Sequence, residues 1–441
     1  MNHSINKTHD PDLQSWVDSA NQENANFPIQ NLPFGSFRRA NTKENFRLGV
    51  AIGNQILDLR RCQELDLFKD LPTALVDAAS TASLNALMAL GARPLSLLRQ
   101  RLSNILNANQ SKTELSALVP ISESELHLPV EVGDFSDFYA SIFHAQNVGK
   151  LFRPNNPLLP NFKHVPIAYH GRTSSIILSG TPIKRPYGQT KPSDADLPTF
   201  GPSQHFDYEI EVGYFVGLGN TLGQPVSIDE AEEQIFGLSL LNDWSARDLQ
   251  IWEYQPLGPF LSKSFATSVS PWVITMEALA PFRCEAYVRP KSDPQPLPYL
   301  SSARNETEGG IDLRVEVLLS SAEMRSQGLK ASRISFGSTK ETYWTIAQLV
   351  AHHTSNGCNL CPGDLLASGT VSGSQEGSQG CLLEMTQRGA YPLKLPTGEQ
   401  RSFLLDGDEV IFRGHCERQG YKSIGLGECT GLVLPASDEN R

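Results

Sequence analysis

The feature that most constrains the fold is a succession of short apolar runs in the second part of the chain, separated by glycine, proline and polar residues. In Ile311–Leu319 (IDLRVEVLL) apolar and polar residues alternate, as on a strand with one buried face. CLLEMT (381–386) and FLLDGDEVIFRG (403–414) also contain predicted short strands. Helical spacing is rarer; one example is Tyr343–Gly357, which Gly357 ends. We therefore predict a β-rich α+β protein with a roll or sandwich from about residue 165 onward.

The first part of the chain predicts a smaller unit. RLGVAIGNQILDL reads as two strands joined by a turn at Gly53-Asn54, and Ser83–Leu106 carries leucine and isoleucine at helical spacing, broken at Gly91. The polar run NANQSKTE (107–114) is the best candidate for a linker. We predict a β-plus-helix domain over residues 27–120, a larger domain over 121–441, and a mobile polar tail over 1–26.

Charge and hydropathy exclude several classes of function. The net charge is −11 and no run of lysine or arginine occurs, which disfavours nucleic acid or an anionic membrane as a partner. No apolar run approaches the roughly 20 residues that a membrane-spanning helix needs, and the N-terminal segment has no apolar core of a secretory signal. Seven widely spread cysteines fit a reducing compartment. The expectation is a soluble cytoplasmic protein.

The densest group of polar side chains lies in Leu241–Phe265 (LNDWSARDLQIWEYQPLGPFLSKSF). A buried strand is predicted to end at Asp243, a short helix to follow, and a loop rich in proline and glycine to return Lys263. Polar groups at a strand end and in the next loop are typical of a site on a rigid scaffold. An ordinary surface helix with a solvated charged face explains the same residues equally well.

Carboxylates elsewhere offer ligands for a hard divalent cation. In DYEIEVGYFVG, Glu209 and Glu211 fall on one face of a predicted strand, about 6.6 Å apart. Asp137 and His144 are predicted to share one face of a helix running from about Asp137 to Val148 and ended by Gly149, about 10 Å apart along its axis. A solvated strand face and a half-buried histidine remain the alternatives, and spacing alone does not show that these groups converge.

Other familiar motifs give little support to other chemistries. Cys358-x-x-Cys361 follows His352 and His353, but a second pair of cysteines is missing, so a zinc site is disfavoured. The sequence contains no GxSxG, phosphate-binding GKS or GKT, or GxGxxG motif. An ordinary serine hydrolase, a P-loop enzyme and a Rossmann dehydrogenase are therefore disfavoured.

Several long segments together resemble the fumarylacetoacetase family. They are SDFYASIFHAQNVG, AYHGRTSS, DYEIEVGYFVG, LNDWSARDLQIWEYQPLGPFLSKSFATSVSPW, NGCNLCPGDLLASGTVSG and LLDGDEV, with NFPIQNLPFGSF and RLGVAIGNQILDL in the first domain. The resemblance implies an SH3-like β-barrel at the N-terminus, a larger mixed β-roll carrying the site, and a homodimer. It also implies a hydrolase that cleaves the C–C bond of fumarylacetoacetate at the end of tyrosine and phenylalanine catabolism.

The resemblance further implies roles for individual residues. His144 becomes the general base, oriented by Glu384. The other implied residues are as follows: oxyanion donors Arg247, Gln250 and Lys263; substrate-binding residues Tyr139, Arg153, Tyr169, Tyr254 and Thr370, together with Arg247 and Gln250; ligands of one Ca²⁺ or Mg²⁺ ion Asp137, Glu209, Glu211 and Asp243; and, near a further Mg²⁺, Asp243, Lys263 and Thr267.

Two alternatives stand beside this hypothesis. Related acylpyruvate hydrolases and oxaloacetate decarboxylases are usually shorter and lack the N-terminal domain, so a chain of 441 residues counts against them. A structural metal-binding protein with a degenerate site is disfavoured because both His144 and Glu384 are present.

Overall fold

The structure is a computed structural model that describes residues 4–109, 115–192 and 194–437. Most of the predicted linker and residues 1–3 of the predicted tail lie outside these ranges. The α-helices are α1 (Leu59–Glu64), α2 (Thr73–Ala79), α3 (Asn85–Met88), α4 (Ala92–Leu106), α5 (Ile142–Phe152), α6 (Arg247–Glu253), α7 (Ala303–Glu308), α8 (Ala322–Ser326), α9 (Ile346–Thr354) and α10 (Leu382–Met385).

The remaining regular structure consists mainly of strands. They are β1 (Phe34–Arg39), β2 (Arg47–Ile52), β3 (Gln55–Asp58), β4 (Leu118–Pro120), β5 (Ser124–His127), β6 (Phe135–Phe138), β7 (Ala168–His170), β8 (Ile176–Leu178), β9 (Ile183–Lys184), β10 (Tyr187–Thr190), β11 (Thr199–Pro202), β12 (Phe206–Asp207), β13 (Ile210–Val216), β14 (Ile235–Asp243), β15 (Ser245–Ala246), β16 (Thr267–Val269), β17 (Ile274–Thr275), β18 (Arg283–Cys284), β19 (Gly310–Ile311), β20 (Leu313–Ser320), β21 (Ser332–Ser338), β22 (Leu365–Ala367), β23 (Leu393–Lys394), β24 (Gln400–Arg401), β25 (Glu409–Cys416) and β26 (Ile424–Leu434). The β-rich α+β prediction is confirmed.

The N-terminal sheet is antiparallel, in the order β4-β3-β2-β1-β5. The predicted turn joins β2 to β3, with Gly53 at φ +57, a conformation that favours glycine. A Cβ at Gly53 would lie 2.2 Å from Ser19 Oγ, so glycine also allows the N-terminal segment to approach this turn. Because β5 pairs with β1, this sheet extends beyond residue 120.

The N-terminal segment packs against the protein from residue 4 onward. Thr8, His9, Val17 and Ala20 are buried, and His9 Nε2 lies 2.8 Å from the carbonyl oxygen of Glu277. The prediction of a mobile tail is therefore wrong for residues 4–26. Some of the polar side chains that suggested it bond to other parts of the protein; Asn6 Nδ2, for example, donates to Glu277 Oε1 at 2.7 Å.

The larger unit contains two main sheets with a shared core. One has eight strands in the order β7-β6-β22-β13-β14-β16-β8, with β17 also pairing β14; the other has five in the order β21-β20-β25-β26-β9. Val212 and Leu240 of the first sheet and Val315 and Phe412 of the second lie in one buried cluster. Burial on this scale holds the central strands rigidly, and those strands carry the polar site. No helix within the described ranges is long and apolar enough to cross a membrane.

Two local predictions are wrong. Asp137 lies on β6, which pairs with β7 and β22, and the helix begins only at Ile142, where the Ser141 hydroxyl caps the His144 N–H. That helix continues past Gly149 to Phe152. A Cβ at Gly149 would lie 1.9 Å from the Pro157 carbonyl oxygen, so this glycine permits a close approach instead of ending the helix.

The second error concerns CLLEMT, where α10 replaces the predicted strand. Short apolar runs do not distinguish a strand from a turn of buried helix. Here Asp207, which is distant in sequence, accepts hydrogen bonds from the N–H groups of Leu382 and Leu383 and holds the start of the helix.

Candidate active site

Three carboxylates from separate strands meet in the large sheet. Asp137 lies on β6, Glu211 on β13 and Asp243 at the end of β14. All three are buried, and one oxygen from each lies within 4.8 Å of the others. The sheet order places β6 and β13 on either side of β22, with β14 next to β13, so neighbouring strands bring together residues that lie far apart in sequence.

The electrostatics of this carboxylate trio favour a cation. Burial, and then the charge of Asp243, raise the pKa of Asp137 well above its ordinary value. Burial, and then the charge of Asp137, do the same for the pKa of Glu211. Asp137 Oδ1 and Glu211 Oε1 are buried and have no hydrogen-bond partner among the described residues. Unpartnered buried carboxylate oxygens are what a hard divalent cation requires, so the residues present fit such an ion.

Two buried cations border the trio. Lys263 Nζ donates to Asp243 Oδ2 at 2.6 Å and to Glu209 Oε2 at 2.5 Å. Arg247 Nη1 donates to Glu209 Oε1 at 2.6 Å. Burial alone would raise the pKa of Glu209, but the charges of Lys263 and Arg247 outweigh it and lower that pKa. Burial also opposes the charge of Lys263, yet Asp243 and Glu209 reverse the effect and raise its pKa.

A second group is built around His144 and Glu384. His144 Nδ1 lies 2.6 Å from Glu384 Oε1, and both side chains are buried. Asn147 Nδ2 donates to Glu384 Oε2 at 2.9 Å, and the Ser372 hydroxyl donates to Oε1 at 2.7 Å. Burial would raise the pKa of Glu384, but the charge of His144 and these hydrogen bonds lower it. The carboxylate therefore stays ionised and holds the imidazole in one orientation.

Tyr139 borders both groups. Its ring centroid lies 5.3 Å from that of His144, in an edge-on arrangement. Burial, followed by the negative charges of Glu384 and Glu209, raises the pKa of this tyrosine. Tyr139 therefore lies beside the imidazole and near a carboxylate of each group.

The other predicted site residues differ in their surroundings. Tyr169 donates to Asp243 Oδ2 at 2.9 Å, and Thr267 Oγ1 lies 3.5 Å from Asp243 Oδ1. Gln250 Oε1 accepts from Arg247 at 3.1 Å. The Tyr254 side chain is exposed, unlike those of Arg247 and Thr267, and its hydroxyl accepts a hydrogen bond from neighbouring Gln255.

Polar atoms without partners recur among the predicted site residues. Besides the two carboxylate oxygens, Arg153 Nε, Arg247 Nη2 and Thr370 Oγ1 are buried and lack a hydrogen-bond partner in the described part of the chain. Buried polar groups are nearly always satisfied in folded proteins. Five of the twelve such atoms in the described ranges lie on predicted site residues, where a bound molecule can complete their hydrogen bonds.

Four contributors escaped the sequence analysis. Asn147 and Ser372 hold Glu384, Asp207 holds Arg247 Nε at 2.9 Å, and the Gly369 N–H donates to Glu211 Oε2 at 3.1 Å. Only Asn147 left a signal, because it follows His144 by three residues and so shares its helix face. The other contacts depend on residues that are distant in sequence.

Comparison with known proteins identifies the family of this chain. Residues 30–129 match the family model described as "Fumarylacetoacetase N-terminal", and residues 135–433 match "Fumarylacetoacetate (FAA) hydrolase C-terminal". The fumarylacetoacetases of Rattus norvegicus and Homo sapiens are each 47% identical over 427 residues, covering 94% of this chain and 97% of the relative.

A solved structure supports the fold alone. The fumarylacetoacetate hydrolase of the psychrophile Exiguobacterium antarcticum superimposes with a TM-score of 0.50 at 17% identity, covering 92% of this chain and 99% of that one. The sequence matches extend over nearly the whole length and include both domains. The chain therefore belongs to the fumarylacetoacetase family of hydrolases.

Proposed function

We propose that this enzyme hydrolyses the C–C bond of fumarylacetoacetate to give fumarate and acetoacetate, the last step of tyrosine and phenylalanine catabolism. The observation that carries the proposal is the set of unpartnered buried polar atoms on Asp137, Glu211, Arg247, Arg153 and Thr370. Arg247, Arg153 and Thr370 can donate hydrogen bonds to the carbonyl and carboxylate oxygens of a β-diketone acid. A cation would engage Asp137 and Glu211.

His144 is the proposed general base. Its Nδ1 is engaged by Glu384, so Nε2 is the atom that takes a proton from water. The hydroxide oxygen then bonds to a carbonyl carbon, and the adjacent C–C bond breaks with its electron pair leaving as an enolate. The proton held by His144 is available to the leaving carbon. General base catalysis of this kind contributes about 10²- to 10⁴-fold in rate.

Arg247, Gln250 and Lys263 are the proposed donors to the oxyanion that forms on the attacked carbonyl. Arg247 Nη2 is free for this contact, whereas Nε and Nη1 hold protein carboxylates. Loss of one such donor costs about 3–4 kcal/mol of barrier in comparable sites. Tyr139, Arg153, Tyr169, Tyr254 and Thr370, with Arg247 and Gln250, are proposed to bind the substrate, and Arg153 suits a carboxylate clamp.

Asp137, Glu211 and Asp243 are the proposed ligands of one Ca²⁺ or Mg²⁺ ion, with Glu209 as the expected fourth. Both Glu209 oxygens hold cations of the protein, so its coordination stays a prediction. When bound, the ion supplies positive charge that stabilises the enolate oxygen. A further Mg²⁺ near Asp243, Lys263 and Thr267 also stays a prediction.

Four broader expectations belong to the same proposal. The antiparallel order of the N-terminal sheet is compatible with an SH3-like barrel. The division at residue 120 stays a prediction, and the pairing of β5 with β1 favours a boundary after His127. A homodimer and a cytoplasmic location are carried over from the resemblance.

The test is an assay on fumarylacetoacetate with and without a chelator. We expect loss of the ultraviolet absorbance of the diketone, release of equimolar fumarate and acetoacetate, and loss of turnover with chelator that a divalent ion restores. No turnover, or release of carbon dioxide, would overturn the proposed reaction. Turnover unaffected by thorough chelation would overturn only the role of the ion.

A further inference from the structure

Asp207 is a buried carboxylate that connects the two ends of the site. Its Oδ2 accepts from Arg247 Nε at 2.9 Å and from the Leu383 N–H at 3.0 Å. Its Oδ1 accepts from the N–H groups of Tyr208 and Leu382, both at 2.9 Å. The side chain is fully buried, so all four hydrogen bonds are shielded from water.

On one side, Asp207 determines how Arg247 presents its guanidinium. Asp207 holds Nε and Glu209 holds Nη1, while Nη2 has no partner among the residues that the structure describes. A guanidinium is planar, so fixing two of its nitrogens fixes the direction of the third. The two carboxylates thus fix the direction of Nη2, the nitrogen proposed to contact the oxyanion.

On the other side, Asp207 holds the start of α10, the helix that carries Glu384. Cys381 occupies the N-cap position of this helix and makes no side-chain capping hydrogen bond. Asp207 satisfies the first two helical N–H groups in its place. Glu384 follows one residue after this anchored pair and bonds His144, so movement of α10 would move the carboxylate that orients the base.

We propose that Asp207 is a positioning residue that couples the Arg247 oxyanion donor to the His144–Glu384 pair. The alternating chain Asp207–Arg247–Glu209–Lys263–Asp243 continues from it to the carboxylate trio through contacts of 2.5–2.9 Å. The inference rests on the proposed function because it assigns Asp207 to the support of catalytic groups. It adds a connection between groups that the reaction requires at the same time.

The primary test is Asp207→Asn, which keeps the shape but puts an NH₂ group in place of one acceptor oxygen. We expect kcat to fall by about 10- to 100-fold, the range for hydrogen bonds to charged groups, and KM to rise by a smaller factor, because Arg247 is proposed both to bind the substrate and to stabilise the oxyanion. The matched control is Asp408→Asn. Asp408 is equally buried and bonds Arg401 and the Leu405 N–H, and in the described structure it makes no hydrogen bond to a proposed site residue. This control should lower thermal stability and leave kcat unchanged.

A double-mutant cycle with Glu384→Gln separates positioning from simple stability. If Asp207 acts partly through Glu384, the effect of Asp207→Asn on kcat should be at least about threefold smaller in the Glu384→Gln background. Equal effects in both backgrounds would overturn the coupling. If Asp207→Asn does not fold, the same cycle with Asp207→Glu, which keeps the charge, decides the question by the same criterion.

The outcomes separate this inference from the proposed function. A wild-type enzyme that does not cleave fumarylacetoacetate would overturn the proposed function, whatever Asp207 does. An active wild type, together with an Asp207→Asn variant that loses stability but retains kcat, as expected for Asp408→Asn, would overturn the role of Asp207 alone.

Discussion

The two ends of the active site treat their buried carboxylates in opposite ways. Both oxygens of Glu384 accept hydrogen bonds, and its pKa is lowered in the folded protein. Asp137 and Glu211 each retain an oxygen without a partner in the described ranges, and the pKa of each is raised well above its ordinary value. Burial opposes ionisation at both ends, so the difference arises from the neighbours of each carboxylate.

This difference separates the part of the site that protein contacts complete from the part that the proposed ion would complete. The His144–Glu384 pair has its orientation fixed by protein contacts. At the acidic end, Lys263 divides one positive charge between Asp243 and Glu209, and like charges repel at short range. Positive charge is thus deficient at the acidic end, where Lewis acid chemistry is proposed, whereas hydrogen bonds from His144, Asn147 and Ser372 satisfy Glu384 at the end where the base is proposed.

The largest expected effect comes from His144→Ala. Removing the base should lower kcat by about 10²- to 10⁴-fold while leaving the ion site intact, because no carboxylate of the trio contacts this imidazole in the described structure. Turnover of fumarylacetoacetate and ion-induced thermal stabilisation, measured on the same sample, check the two halves of the expectation. Activity within tenfold of the wild type would show that the two ends do not divide the work in this way.

Asp137→Asn should change the stability of the protein in opposite directions without and with a divalent ion at the acidic end. Without a divalent ion, the variant loses like-charge repulsion and should be at least as stable as the wild type. With ion at 100 times the wild-type dissociation constant, the wild type gains about 2.7 kcal/mol, and the variant should lose most of this gain.

Chemical unfolding of the chelated and the ion-loaded proteins measures both terms. Asp408→Asn supplies the control, since it removes a buried carboxylate that Arg401 already neutralises and should destabilise both forms equally. A chelated Asp137→Asn protein less stable than the chelated wild type would contradict the view that the acidic end is strained without an ion.

Glu384→Gln tests how the stability contributed by the His144–Glu384 pair depends on pH. The folded pKa of Glu384 lies below its ordinary value of 4.5, so the unfolded chain binds this proton more readily. The ionised carboxylate therefore contributes stability above about pH 4.5, and this contribution is lost as pH falls below that value. The variant should be less stable than the wild type by about 1–3 kcal/mol near neutral pH, and the difference should shrink in acid. Urea unfolding across this range is the measurement, and a difference that grows in acid would contradict it.

The sequence predicted individual strands and helices better than it predicted the contacts between them. The strand ending at Asp243, the following helix and the returning Lys263 are all confirmed. Patterns of apolar and polar residues decide such elements locally. The error at Asp137 arose because an acidic first turn and Gly149 fit the start and stop signals of a helix, whereas pairing with β7 and β22 makes Phe135–Phe138 a strand.

The trio shows why the arrangement of the site could not be predicted from spacing. Asp137, Glu211 and Asp243 converge because β6, β22, β13 and β14 are neighbours in the sheet, and no local pattern specifies that order. The family resemblance supplied these residues as a set. It did not supply Asp207, whose partners Arg247 and Leu382 lie 40 and 175 positions away along the chain.

The smallest expected effect concerns Asn147. Two variants at this position separate the effect of hydrogen-bond geometry on Glu384 from the effect of charge. Asn147→Ala removes one hydrogen bond to Glu384 Oε2, but His144 and Ser372 still hold Oε1. The loss should be about 1 kcal/mol, or less than about tenfold in kcat. Asn147→Asp keeps the size but puts a carboxylate beside Glu384, so the pKa of each of the two carboxylates rises. The acid limb of the dependence of kcat on pH should therefore move to higher pH. If Asn147→Ala and Asn147→Asp shift the acid limb equally, the hydrogen bond and not the added charge determines whether Glu384 is ionised. The difference between Glu384 and the carboxylates of the acidic end would then rest on geometry alone.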